Sequence, residues 1–461
     1  LNNLFRKKDI SQLLNKTNTV QLPKTLGAFD LIMLGVGAIV GTGIFILPGT
    51  VSATHSGPAI VFSFIIAAIV CALAGMCYSE FSSSVPVTGS AYTYGYIVFG
   101  EIVAWFVGWA LVLEYGLASA SVATGWSSYF VNLVEGLGIH IPAALAGPFD
   151  PTNGTYINLP AIFIVLIISF LLTLGMQEST RINKIMVFVK VGVILLFILV
   201  GVFYVEPANW QPFTPFGING VFTGAALVFF AYLGFDAVSS AAEEVKNPQR
   251  NLPIGIIGSL LICTLLYVFV SLVLTGIVSY TDLNVTDPVS FAMQIAGQNW
   301  VSGIISLGAV FGMMTVILVM IYGGTRLLYA LGRDGLLPKV MQELNPKHQT
   351  PVKNTWFFGI LIAICAGLVP LGKLAELVNM GTLIAFMVVS IGVIFLRKNK
   401  QIPSDGFKVP LYPVIPILSF LACLFLISQL SVDTWIACGL WFIVGMVFYF
   451  LYGRTHSTMN E

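Results

Sequence analysis

Charge is the scarcest ingredient of this 461-residue chain: only 9% of its residues are Asp, Glu, Lys or Arg, where a soluble domain carries about 25%. A water-soluble fold with so little charge cannot cover its surface. The few charges also balance, 21 basic against 20 acidic for a net of +1, which leaves no basic patch to grip a phosphate backbone and excludes nucleic acid as a partner. Histidine is nearly as rare, and His55, His140, His348 and His456 lie far apart, in connections or at segment ends. There is no HExxH, no Ser/His/Asp grouping and no paired acidic metal motif within the apolar segments, so no metal and no cofactor is expected. Cys71, Cys77, Cys263, Cys365, Cys423 and Cys438 sit in apolar runs without CxxC spacing and read as core fillers rather than disulfides. The first 25 residues are polar and basic without an apolar stretch, so no cleavable signal peptide is expected and the first apolar run acts as the insertion signal.

What the chain has in abundance is apolar residues, 57% of the total, with a mean hydropathy of +0.92. That share is enough for a dozen membrane spans of about 20 residues each. Long apolar runs fall at 28–49, 58–83, 101–133, 158–176, 182–204, 217–241, 253–279, 297–331, 355–371, 375–396, 412–430 and 432–453. Only Gln429 and Asp433 separate the last two, but together they are too long for one helix, so a tight hairpin is expected. The chain reads as an all-α polytopic membrane protein with twelve transmembrane helices. Positive charge gathers on the cytoplasmic side of such proteins. With the N-terminus inside, that side receives Arg6, Lys7, Lys8, Lys16, Lys24, Arg181, Lys184, Lys246, Arg250, Arg326, Arg333, Lys339, Lys347, Lys353, Arg397, Lys398, Lys400, Lys408 and Arg454. Lys373 falls outside, and only Lys190 remains within a span. Both termini are therefore expected in the cytoplasm and the chain in the plasma membrane.

Span 1 carries GVGAIVGTGIF at 35–45, in which Gly35, Gly37, Gly41 and Gly43 make a poor helix interior, each costing about 1 kcal/mol relative to Ala. Dinucleotide binding would need a βαβ unit, which is absent. Two readings remain: close helix packing through small residues, or an unwound segment whose amides face a mid-membrane cavity. The second predicts a partner break, and span 6 offers one in VFFAYLGFD at 228–236, with Gly234 and Asp236 amid aromatics. Gly41 and Gly234 are 193 residues and five spans apart. Five is odd, so a repeat of 28–204 in 217–396 has inverted topology, which leaves 412–453 as two extra spans and 1–27 and 454–461 as cytoplasmic ends.

Together with GSAYTYGY and GEIVAWFVGWALVLEY within 89–115, EEVKNPQRNLPIGI at 243–256 and RDGLLPKVMQELNPKHQTPV at 333–352, these two segments resemble the amino acid, polyamine and organocation transporter superfamily. Within it the chain is most similar to bacterial relatives of the cationic amino acid transporters, over essentially its whole length. The resemblance implies a LeuT-like five-plus-five inverted repeat with spans 1 and 6 broken around a central site, and secondary active transport of L-amino acids by alternating access. It implies that the amides of Gly41, Thr42 and Gly43 with the Thr42 hydroxyl take the substrate carboxylate, and that the carbonyls of Ile39, Phe230, Ala231 and Leu233 take the ammonium. Phe230 either closes over the substrate or simply fills the core. Lys190 lies about eight residues into span 5, roughly 12 Å from its start. A lysine at that depth snorkels, or replaces the Na⁺ that related carriers bind between spans 1 and 8 and so couples transport to protons. Proton-coupled symport is the reading taken, with amino acid exchange as its alternative.

Glu114 in span 3 and Asp236 in span 6 either receive a basic substrate side chain or bridge helices. Met320 in span 8 favours small neutral substrates, whereas the family favours arginine or lysine, and the choice stays open. A multipass enzyme lacks a catalytic cluster here, a channel lacks a filter, and a receptor-like sensor lacks an output domain, since no cytoplasmic loop exceeds about 23 residues. The expected partners are an L-amino acid and membrane lipid. Spans 11 and 12 face lipid, a second copy or an accessory helix.

Overall fold

The computed structural model describes residues 5–7, 24–85, 90–175, 180–346, 350–398 and 406–460. Lys8, Lys16, Lys347, His348 and Lys400 of the charge and histidine patterns lie outside them. The described residues form helices and connections, with three isolated β-bridges and no strand. In chain order the helices are α1 (Ala28–Ile39), α2 (Thr42–Phe45), α3 (Leu47–Val51), α4 (Ile60–Ser84), α5 (Ser90–Val98) and α6 (Glu101–Gly136). There follow α7 (Leu159–Thr173), α8 (Thr180–Gly201), α9 (Gly217–Val228), α10 (Ala237–Ser240), α11 (Pro248–Ile277) and α12 (Pro288–Ile295). The last are α13 (Asn299–Arg333), α14 (Val352–Leu368), α15 (Leu371–Leu396), α16 (Val414–Ser428), α17 (Val432–Phe448) and the short α18 (Arg454–His456).

All twelve predicted spans carry apolar helix, but they divide in length. Among the described residues eight stretches are long and apolar enough to cross a membrane, beginning with Leu47–Ser84 and ending with Val432–His456. The other four predicted spans hold shorter apolar helices, α1, α7, α14 and α16. The glycine-rich stretch stops α1 at Ile39, and Pro370 ends the α14 segment by opening α15. The residues at 50–57, expected as a connection, continue α3 through a wide π turn (Ser52–Ser56) and a tight turn (Gly57–Ala59) into α4. Hydropathy also did not separate α5 or α12, which are too short to register as spans.

The broken helices lie within the bundle, with α11 along α1 and α4, and α6 along α13 and α15. Helix α17 is fastened to α6 by indoles. Trp105 and Trp109 donate to the Gly445 and Trp441 carbonyls at 2.9 Å, Trp441 returns a bond to the Trp109 carbonyl at 3.1 Å, and the Trp109 and Trp441 rings stack. Indole suits such a contact because one edge packs while the N–H needs an acceptor once buried. The opposite face of α17 exposes Ile436, Leu440, Ile443, Val444 and Val447, an apolar stripe suited to lipid tails.

Where α1 begins, the chain pairs with the segment beyond the second break. Thr25 and Leu26 amides donate to the Glu244 carbonyl, and Lys246 donates back to the Leu26 carbonyl at 2.9 Å. Nearby, Lys184 of α8 pairs with Asp30 of α1 at 2.5 Å, and Arg397 grips the buried Glu80 with two bonds of 2.6 and 2.8 Å. These contacts close one end of the molecule.

Candidate functional site

Two interruptions of helix meet inside the bundle. In the first, α1 gives way to extended Val40 (φ −75°, ψ 100°) and then Gly41 (φ −149°, ψ −141°) before α2 starts at Thr42. In the second, α9 tightens into a 3₁₀ turn at Phe229–Tyr232, and Gly234 at φ +105° turns the chain toward α10. Side chains rarely adopt that φ, so glycine is the residue that makes this turn. The two breaks touch backbone to backbone, because a Cβ at Gly43 would lie 2.4 Å from the Ala231 Cα.

A side chain of α11 ties them together. The fully buried Tyr267 hydroxyl lies 2.6 Å from the Ala231 carbonyl oxygen and 3.2 Å from that of Ile39, sharing its one proton between the two breaks. Each carbonyl keeps a second lone pair for another donor. On the α13 side, the Thr42 hydroxyl donates to the Met313 sulfur at 3.5 Å, and Val316 borders Gly41. Met320 is one turn beyond Val316 and shares that face of α13.

Lys190 extends inward from α8. Its ammonium donates to the Gly37 carbonyl of α1 at 2.9 Å, and its stem lies against Gly312 of α13. With 1% of its surface exposed it does not snorkel. A helix ending at Ile39 leaves its last carbonyls without intrahelical donors and its C-terminal end partially negative, and the ammonium suits both conditions.

Glu114 of α6 and Asp236, at the start of α10, are buried close to each other, with Tyr78 of α4, Tyr115 and Thr382 of α15 around them. The Tyr78 hydroxyl has no hydrogen-bond partner among the described residues. The site residues thus fall into three groups: the two breaks with the Met320 face, Lys190 bonded to the last turn of α1, and the pair of buried carboxylates. Ile39, Thr42, Phe230, Ala231, Leu233, Met320, Lys190, Glu114 and Asp236 are each no more than 6% exposed.

The end opposite Leu26 is closed by α6 and α12. The Tyr129 hydroxyl donates to the Phe45 carbonyl at 2.7 Å, and Asn132 donates to the Asp287 carboxylate at 2.6 Å. Asp287 caps the start of α12, whose Pro288 rests against Gly49 beyond the first break. Burial, and secondarily the charge of Glu135, push the Asp287 carboxyl up to about 7.

Sequence reasoning passed over Tyr267, Met313 and Asn379, the last of which donates to carbonyls beside the second break. Met313 stands seven residues before Met320, two helical turns, so helical spacing could have found it. The lone hydroxyl of Tyr267 within the apolar run LLYVFV was the available signal there.

The sequence model of the amino acid permease family matches residues 26–449. The chain is 52% identical to the methylthioribose transporter of Bacillus subtilis (strain 168) over 461 residues, all of both chains. It is 53% identical to the branched-chain amino acid permease BcaP of the same organism over 462 residues, 99% of each. It is 40% identical to the vacuolar cationic amino acid transporter 4 of Arabidopsis thaliana over 419 residues, 89% of this chain and 69% of that one. With its long apolar helices, such a match describes a multi-pass membrane protein. The chain belongs to the amino acid permease family, within the amino acid, polyamine and organocation transporter superfamily.

Proposed function

We propose that this protein is a proton-coupled L-amino acid symporter of the plasma membrane that works by alternating access, with twelve crossings, both termini cytoplasmic and its first ten spans arranged as an inverted repeat. The observation that carries the reading is the backbone contact of the two breaks at Gly43 and Ala231. A zwitterion buried in a membrane needs donors for its carboxylate and acceptors for its ammonium, and a pair of broken helices offers both from backbone. The amides of Gly41, Thr42 and Gly43 serve the carboxylate. The Thr42 hydroxyl joins them at little cost, since it gives up only a weak sulfur acceptor. The carbonyls of Ile39, Phe230, Ala231 and Leu233 serve the ammonium through lone pairs that Tyr267 leaves open, and Phe230 closes the cavity.

Lys190 is the coupling residue in this reading, a tethered cation between α1 and α13 that no free metal ion need replace. The test is uptake into proteoliposomes under an imposed pH gradient. Wild type accumulates substrate when the outside is acidic, and Lys190→Ala retains binding but loses the response to the gradient. A Lys190→Ala variant that follows the gradient as wild type does would refute the coupling role.

For substrate, Met320 and the likeness to a branched-chain permease favour neutral aliphatic amino acids over arginine and lysine. A second reading comes from the equally similar methylthioribose transporter. A thio-sugar has neither carboxylate nor ammonium, so it would use the same cavity without its paired charges. Thermal-shift titration with alanine, leucine, arginine, lysine and methylthioribose separates these: stabilisation by leucine or alanine alone supports the neutral reading, and stabilisation by arginine alone overturns it. Saturation and counterflow in the same vesicles distinguish symport from obligatory exchange.

A further inference from the structure

The second break is held by Tyr267 and by the Tyr232 hydroxyl, which donates to the Phe64 carbonyl of α4 at 3.0 Å, and from a further side as well. On that side stands Asn379 of α15, fully buried, whose side-chain amide donates to the Ala226 carbonyl at 2.8 Å and to the Leu227 carbonyl at 3.2 Å. Those carbonyls belong to the last turn of α9, where the ladder changes from α to 3₁₀ spacing and regular partners are lost. The orientation of Asn379 follows from chemistry. A flipped amide would turn its oxygen toward two carbonyl oxygens, so the NH₂ faces them and Oδ1 points away.

That Oδ1 is buried without a hydrogen-bond partner among the described residues. An orphaned acceptor is costly, and a leucine of similar size would avoid it. The residue is therefore better explained by what its donors do than by packing. Two turns along the same face of α15, Phe386 sets its ring edge-on to Phe229, the first residue of the 3₁₀ turn, at 5.8 Å. Asn379 and Phe386 grip the start of this turn while Tyr267 holds its far end at Ala231.

We infer that Asn379 is a positioning residue for substrate: by fixing the carbonyls of Ala226 and Leu227, it sets where the Phe230 ring and the ammonium-facing carbonyls of Phe230 and Ala231 stand. This rests on the reading of the two breaks as the amino acid site. Through it, α15 and the second break form one unit, and a shift of α15 alters affinity rather than merely stability.

The test compares wild type, Asn379→Leu and Asn379→Asp as purified full-length protein, titrated with alanine, leucine and arginine at pH 8 and pH 5.5, with uptake measured in vesicles. Asn379→Leu removes the donors and is expected to weaken binding about tenfold at both pH values. Asn379→Asp is nearly isosteric and donates only when protonated. It is expected to bind about tenfold more weakly than wild type at pH 8 and to recover to within about threefold at pH 5.5, which a merely structural loss would not do. Both variants within about twofold of wild type throughout, or a lowered uptake rate with unchanged affinity, would overturn the inference. Wild type that binds none of the three amino acids would instead overturn the site reading on which it rests.

Discussion

Between Gly43 and Ala231 there is no room for a methyl group: a Cβ there would stand 2.4 Å from a backbone atom that cannot swing aside. Gly41, two residues earlier, differs, since a Cβ there would meet only the Val316 side chain at 3.4 Å. Gly43→Ala is therefore expected to abolish uptake and lower the melting temperature by about 5 °C or more, by forcing the breaks apart. Gly41→Ala is expected to fold with a melting temperature near that of wild type. Melting and uptake measured on both variants check the contrast, and equal losses would mean that the glycines serve a common purpose. The sequence shows four glycines and Thr42 in eleven residues but does not rank them, because the rank depends on which glycine the opposite break approaches. The same holds for Lys190: its rarity is evident from charge counting, but its Gly37 partner is set by where α1 ends.

Among the elements, α12 is short and easily taken for loop, yet it seals one end of the site. The residue that caps its start, Asp287, faces Asn132, with Glu135 and Tyr129 also on the α6 side. A carboxyl raised by burial to about 7 holds a proton in the closed arrangement over a pH range in which an open, solvated carboxyl has lost it. Closure is therefore favoured as pH falls, and the stabilisation disappears as pH rises from about 4 to about 7. Asp287→Asn mimics the protonated form. It should raise the melting temperature several degrees more at pH 8 than at pH 5, and hydrogen exchange of the α12 amides should become slower and less dependent on pH once intrinsic rates are divided out. An equal gain at both pH values would remove Asp287 from the closure. Hydropathy could not predict α12, which is only eight residues long, nor that α1 and α14 stop short, which follows from the glycines after Ile39 and from Pro370.

At the scale of the molecule, the apolar segments and both breaks were legible because lipid leaves the backbone few choices. Helix must satisfy its own hydrogen bonds, so glycine clusters and deep charges stand out from the pattern. The contacts that lock the ends were not legible. Arg397 and Glu80 are 317 residues apart, as are many pairs that never meet.

The short backbone pairing of residues 25–26 with 244–246 has its own consequence for motion. It makes the chain entering the first interrupted helix and the chain leaving the second a single mechanical part, since moving one without the other breaks three backbone hydrogen bonds at once. Spin labels at Thr25 and Val245 should accordingly report one narrow distance with and without substrate, while labels at Thr25 and Arg333 report two. A broad distribution for the first pair would mean that the arms part company. If they do not, the end of the molecule that this pairing closes moves as a hinged door with one leaf, and it can be wedged by a ligand that reaches either edge.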